Sequence, residues 1–166
     1  MGYNTEFYGS FCFDKPLTKE QILFIYNYSR TRHFIRPDVT PSKVMLDAGI
    51  NDVGSGACYY ALDDVDNKYH NEWTKYKNHY NDPGLCPGLW CQWIVSDSGL
   101  RLEWDGMEKF YNYLEWLNFL IENFFSKWNY NLTGFIKYQG EDDDDFGFIR
   151  IKNNKAYYET ENLIFL

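Results

Sequence analysis

Residues 84–128, GLCPGLWCQWIVSDSGLRLEWDGMEKFYNYLEWLNFLIENFFSKW, constrain the fold more than any other stretch. The turn-forming run Ser96-Asp97-Ser98-Gly99 sits between two segments of alternating residues, which predicts a β-hairpin closed by Val95 and Leu100. That register sets Trp93 opposite Leu102 and Cys91 opposite Trp104. One face is then Cys91, Trp93, Val95, Leu100, Leu102 and Trp104, uniformly apolar; the other is Trp90, Gln92, Ile94, Arg101 and Glu103, which is mixed. A one-residue slip would scramble both sets, so only one face is fit to meet a core. Residues 107–128 continue as the most apolar helical pattern in the chain. Phe110, Leu114, Leu117, Ile121, Phe124 and Trp128 form its buried stripe, and Glu108, Glu115, Glu122 and Ser126 lie opposite. Phe119 falls in the middle of the polar side, as a partner contact or a residue that another segment covers.

The flanks extend this pattern. Residues 3–13 alternate as a strand, with Phe7, Phe11 and Phe13 on one side and Glu6, Tyr8, Ser10 and Cys12 on the other. Thr18 and Gln21 match a capping box, which starts a helix running to about Arg30 with Ile22, Ile25, Tyr26 and Ser29 inward. Leu132 to Gln139 reads as a strand with Leu132, Gly134, Ile136 and Tyr138 inward and Phe135, Lys137 and Gln139 outward. Residues 146–152 and 155–160 form a hairpin across Asn153-Asn154, a pair suited to a type I′ turn. Residues 37–88 are the least regular part: a short helix over 41–48 stopped by Gly49, a short strand over 56–62, and a polar run over 67–81. The order is β-α-(insertion)-β-β-α-β and a hairpin. It predicts one α+β domain over 1–166, ferredoxin-like in its split βαβ arrangement, with two helices on one face of an antiparallel sheet.

The totals exclude several function classes. Sixteen Lys and Arg against 24 Asp and Glu leave a net charge of −8, which disfavours nucleic acid and anionic membranes, since both need a basic footprint. No apolar run approaches the ~20 residues that span a bilayer. With no signal-like apolar start, the four cysteines (Cys12, Cys58, Cys86, Cys91) are expected as reduced thiols in a cytoplasmic protein. Aromatic residues make up 20% of the chain, and their AT-rich codons fit a viral, phage or low-GC source, in which case the setting is the host cytoplasm.

No catalytic, metal or cofactor signature emerges. Glu103 and Asp105 are two apart on a strand end, a spacing that a general acid and base could use and that strand ends also show without chemistry. The run Glu141–Asp145 invites a calcium reading, but Phe146 and Lys152 stand where an EF-hand loop needs Gly and Glu. Cys86 and Cys91, with His70 and His79 upstream, lack the spacing of a zinc ribbon or finger. The densest basic cluster, Arg30, Arg32, His33 and Arg36, follows a helix, where cations complement the dipole. What remains is the outward sheet face. Tyr8, Trp90, Gln92, Arg101, Glu103, Phe135 and Lys137, with Phe119 as a secondary contact, mix aromatic rings with charges as a docking face would.

At GLWCQW (88–93), LEWDGMEKFYNYLEWL (102–117) and YQGEDDDDFG (138–147), the chain resembles a family of small bacterial and viral proteins with no assigned activity. Their shared pattern is GLWCQW, EWDG-x-EKFY-x-Y-x-EWL and QGED-x-x-D-x-G. The resemblance implies a shared fold and carries no site residue, cofactor or substrate. The expectation is therefore a non-enzymatic interaction protein with a protein partner and no cofactor. The alternatives are a small planar, nucleotide-like ligand stacked on tryptophan, a homo-oligomer, and a carboxylate-dependent enzyme.

Overall fold

The computed structural model describes residues 2–66 and 71–159 and divides them into two compact units. One combines the N-terminal residues through Leu17 with everything described from Gln92 onward; the other runs from Thr18 to Cys91.

The first unit is the α+β body. Strands β1 (Thr5–Tyr8), β2 (Phe11–Phe13), β3 (Trp93–Val95), β4 (Arg101–Trp104), β5 (Leu132–Gly140), β6 (Phe146–Lys152) and β7 (Lys155–Tyr158) form one antiparallel sheet. The order is β3-β4-β2-β5-β6-β7, with β1 also on β5. β1 and β2 are one strand parted at Gly9 and Ser10. Thr5 faces Gly140, Phe13 faces Leu132, and the register is the same on both sides of the gap. Gly9 (φ 104°), beside Ile136, and Gly134 (φ 125°), beside Phe11, flank the gap, both in backbone that a side chain would resist. Since no residue is inserted, Phe7, Phe11 and Phe13 stay on the buried side, as their alternation requires.

The core of this unit is aromatic. Phe7 takes edge-on contacts from Trp93, Trp104, Phe110 and Tyr113 at centroid distances of 4.9–5.8 Å, the geometry that ring quadrupoles favour. Helix α4 (Tyr113–Leu120) runs into a π-helical turn, Ile121–Phe125, in which the Ser126 amide donates to the Ile121 carbonyl. The expected helix over 107–128 is thus shorter. Lys109 and Asn112 have positive φ, so Phe110 reaches the core from a loop. The buried stripe is also wider: Trp116 and Leu120 of α4 join Leu117, and Phe125 of the π turn joins Ile121 and Phe124. At the far edge the side-chain amide of Asn118 pairs with the backbone of Ala156, accepting from its N–H (2.8 Å) and donating to its C=O (3.0 Å). The last hairpin turns at Asn153 and Asn154 with φ of 53° and 55°, as a type I′ turn requires. Residue 160, which ended its expected second strand, lies outside the described residues.

The central hairpin keeps its predicted faces but not its register. Trp93 pairs with Trp104 and Val95 with Leu102, two residues away from the expectation, which preserves side-chain parity. Asp97–Leu100 form the loop, and Leu100 is exposed instead of buried.

The second unit holds less regular structure. Helix α1 (Lys19–Ser29) begins with the predicted capping box: Thr18 Oγ1 accepts from the Gln21 amide, and Gln21 Oε1 accepts from the Thr18 amide. Its buried residues are Phe24, Ile25, Asn27, Tyr28 and Ser29; Tyr26, expected inward, is exposed. The short helix α2 (Lys43–Asp47) ends before Gly49 (φ 81°), and the Asp63 carboxylate accepts from the Lys43 and Val44 amides at its start. A 3₁₀ turn, Ser55–Ala57, stands where a strand was expected over 56–62. A further turn of helix, α3, spans Glu72–Lys75; residues 67–70 of the expected polar run lie outside the described residues. Cys58 and Cys86 form a disulfide, contrary to the expectation of four reduced thiols, while Cys12 and Cys91 take no part in it. Such a bond is ordinarily kept in oxidising surroundings, so the cysteines no longer support a cytoplasmic setting.

The basic cluster is built into this unit instead of lying along the helix end. The Arg36 guanidinium is buried, pairs with both oxygens of Glu72 at 2.7 Å and lies 3.8 Å from the Phe34 ring centroid. His33 is fully buried, and desolvation pulls its pKa down to about 3, against the pull of its bond to the Tyr28 carbonyl. Arg32 bonds the Tyr80 carbonyl and the Asn81 side chain. Among the described residues, no helix is long and apolar enough to cross a membrane.

Candidate functional site

Strand alternation sends one set of sheet residues away from α4, and the cross-strand register arranges them in rows. Glu6, Gln139 and Phe146 form one row; Tyr8, Lys137 and Phe148 form the next. Phe135, Arg150 and Tyr157 follow, and then Arg101, Cys12 and Thr133. In the two central rows every cation is flanked across the sheet by rings, and every ring has a cation beside it. Lys137 lies between Tyr8 and Phe148, and Arg150 lies between Phe135 and Tyr157. The result is a chequerboard of aromatic and basic side chains.

This face is open. Tyr8, Phe135 and Phe146 are 51%, 52% and 57% exposed, large values for aromatic rings. The Arg150 guanidinium stands 5.0 Å from the Phe135 centroid and is anchored by Glu159 at 2.6 Å, a pair that raises its already high pKa. Phe135 and Phe148 meet edge to face at 6.0 Å. Tyr8 donates its hydroxyl to Glu6, and that bond raises its pKa. Among the described residues, Lys137 and Lys152 have no ion-pair partner. The face sets Arg101, Lys137, Arg150 and Lys152 among Glu6, Glu103 and Glu159, in a chain of net charge −8.

The expected site residues are only partly brought together. Tyr8, Phe135 and Lys137 share the open face. Arg101 joins it at the β4 side, where its guanidinium contacts Ser10 Oγ (3.3 Å) and Cys12 Sγ (3.1 Å). Glu103 is half-buried opposite Ile94. Gln92 is buried: its amide donates to the Glu108 carbonyl and accepts from the Trp104 indole, so it holds the 104–108 loop and offers nothing to a ligand. Trp90 belongs to the second unit, is 40% exposed and has the Arg32 guanidinium 5.9 Å from its ring. Phe119 is half-buried, edge-on to Trp116 (5.5 Å) and Phe124 (6.1 Å), so it is a packed residue of α4. Sequence reasoning missed Phe146, Phe148, Arg150 and Tyr157. The type I′ turn at Asn153-Asn154 implied their register, but the C-terminal hairpin was not carried onto the sheet.

Of the two strand-end carboxylates, Asp105 accepts from the Met107 amide at 2.9 Å. The acidic loop is occupied with its own structure: Asp145 accepts from the Tyr3 hydroxyl at 2.6 Å, Glu141 from the Asn4 amide, and Gln139 Nε2 reaches three loop carbonyls. Among the described residues no group of three or more His, Cys, Asp or Glu is placed to hold a metal. No family model, curated protein or solved structure matches the chain.

Proposed function

We propose that this is a non-enzymatic binding protein that docks a protein partner on the outward face of its sheet. The observation that carries the reading is the chequerboard in which exposed Tyr8, Phe135 and Lys137 alternate with half-buried Phe148, Arg150 and Tyr157. Exposed rings supply contact area at low entropic cost, and cations between them select a partner surface rich in carboxylates. Glu6, Glu103 and Glu159 interrupt the same face, which suits a protein of mixed charge better than an unbroken phosphate backbone. The strand order supports a ferredoxin-like body as part of this proposal. The first strand lies between β4 and β5, its neighbours are antiparallel, and α4 joins β4 to β5.

The test is affinity capture with the full chain and a Phe135→Ser/Lys137→Glu variant, both checked by circular dichroism. Specific partners recovered by the wild type and lost by a folded variant support the proposal; equal recovery by both overturns it. Quenching of the wild type by nucleotides, with no protein captured, would instead favour the planar-ligand reading. Face-dependent self-association in light scattering would identify the partner as a second copy.

A further inference from the structure

The opposite side of the same sheet carries a second feature. Tyr113 opens α4, and its ring lies against two sheet tyrosines, Tyr138 of β5 and Tyr158 of β7. The centroids stand 5.9 Å (113–138), 6.5 Å (113–158) and 5.7 Å (138–158) apart, and the planes are inclined at 47°, 87° and 60°. These rings form a three-sided cup and not a stack. Tyr158 is 46% exposed and the other two are half-buried, so the cup opens beside Tyr158. Gly147 shapes its floor. It faces Tyr138 across the ladder, and a Cβ there would fall 2.9 Å from the Tyr138 hydroxyl, so a side chain at 147 would push that ring aside.

Carboxylates surround the rings. Asp145, held by the Tyr3 hydroxyl, acts on all three tyrosines, and Glu115 acts on Tyr158. Burial first, with the Asp145 charge adding to it, holds all three phenols above their ordinary pKa, and the hydrogen bond shared by the Tyr113 and Tyr158 hydroxyls raises the former and lowers the latter. Burial penalises a charge of either sign, so the carboxylates of Asp145 and Glu115 are what would favour a cation at these rings.

The geometry points to an aromatic cage for an alkylammonium group, formed by Tyr113, Tyr138 and Tyr158 with Asp145 and Glu115 as counter-charges. Rings this close let one cation stand within about 6 Å of all three centroids, the range over which a ring quadrupole attracts it. A methylated ammonium suits such a cup because it sheds water easily and has no hydrogen bonds to lose. The group can arrive on a methylated lysine side chain or on a free quaternary amine of the choline type. The site does not depend on the proposed partner face, since its residues point to the other side of the sheet.

Calorimetric titration of the full chain, with a trimethyl-lysine peptide and with choline, tests this. A dissociation constant on the order of a millimolar or tighter is expected for at least one of them. The one that binds more tightly identifies the source. Tyr158→Ala, an exposed position, should weaken binding at least tenfold with the circular dichroism spectrum unchanged. Asp145→Asn keeps the Tyr3 hydrogen bond and should weaken binding by removing charge alone. A peptide in which a neutral tert-butyl analogue replaces the trimethylammonium is the control. Equal binding of that analogue, or no saturable binding of either cation to folded protein, overturns the cage.

Discussion

Asn118 offers the sharpest test of how this sheet ends. β7 is the edge strand, and the Ala156 N–H and C=O point away from β6; Asn118 meets both with its side-chain amide, as a neighbouring strand would. Ala156 is 2% exposed, so these groups are poorly placed to find water. Replacing Asn118 with Ala removes two hydrogen bonds worth about 1 kcal/mol each, with up to ~2 more if the Ala156 groups stay dry. The better helix propensity of Ala returns about 0.6 kcal/mol. The expected net loss is therefore roughly 1.5–3 kcal/mol. Amide exchange at Ala156 is the direct assay: its protection should fall by about tenfold or more, the equivalent of ~1.4 kcal/mol. Denaturant unfolding followed by tryptophan fluorescence should show the same loss. The bared edge should also make the variant self-associate at high concentration, since unpaired strand edges recruit one another. Unchanged exchange at Ala156, with a stability change under about 0.5 kcal/mol, would refute the edge-capping argument.

Two further outcomes are expected. Reducing the Cys58–Cys86 disulfide, which bridges a sequence separation of 28, should destabilise the 18–91 unit by about 3–4 kcal/mol in the chain-entropy account, read as lost amide protection across that unit. His33 is held neutral, its pKa lowered from 6.5 to about 3, so the unfolded chain takes up a proton first as pH falls. Stability should be complete above pH ~6.5 and decline toward pH ~3 by a few kcal/mol. Thermal melts at pH 7 and pH 4 should therefore diverge more for the wild type than for His33→Gln, and equal slopes would dismiss His33 as the cause.

Local rules made much of the fold legible. The capping box at Thr18 and Gln21, the stop before Gly49 and the turn at Asn153-Asn154 each depend on a few neighbouring residues, and each is present. Strand parity was equally readable, because alternation survives even the two-residue shift of the central hairpin. That shift itself could not be read: both registers bury Trp93 and Val95, and the choice lies with the loop, where the Ser96 side chain accepts from the Arg101 amide. Helix faces fared worse. The stripe of α4 assumed a constant period, and the π turn at Ile121–Phe125 breaks it. Arg36 reads as a helix-end cation because its partner, Glu72, lies 36 residues away in an irregular segment. In the candidate site, Tyr8, Phe135 and Lys137 followed from alternation, whereas the burial of Gln92 comes from the 104–108 loop, which no strand pattern reveals.

The π turn also bears on how this chain tolerates changes of length. Such a turn is one α-helical turn carrying a surplus residue, accommodated by widening the ring of backbone it closes. Around Asn123 the segment is thus already stretched to hold one more residue than its span requires. Deleting a residue there would return the backbone to ordinary α spacing and leave Tyr130 and β5 close to where they began. The same deletion in β5, between Phe135 and Tyr138, would invert every following side chain and send Ile149 and Ile151 outward. Within this unit the helix end is the place where the reading frame of the fold can slip by one without being lost.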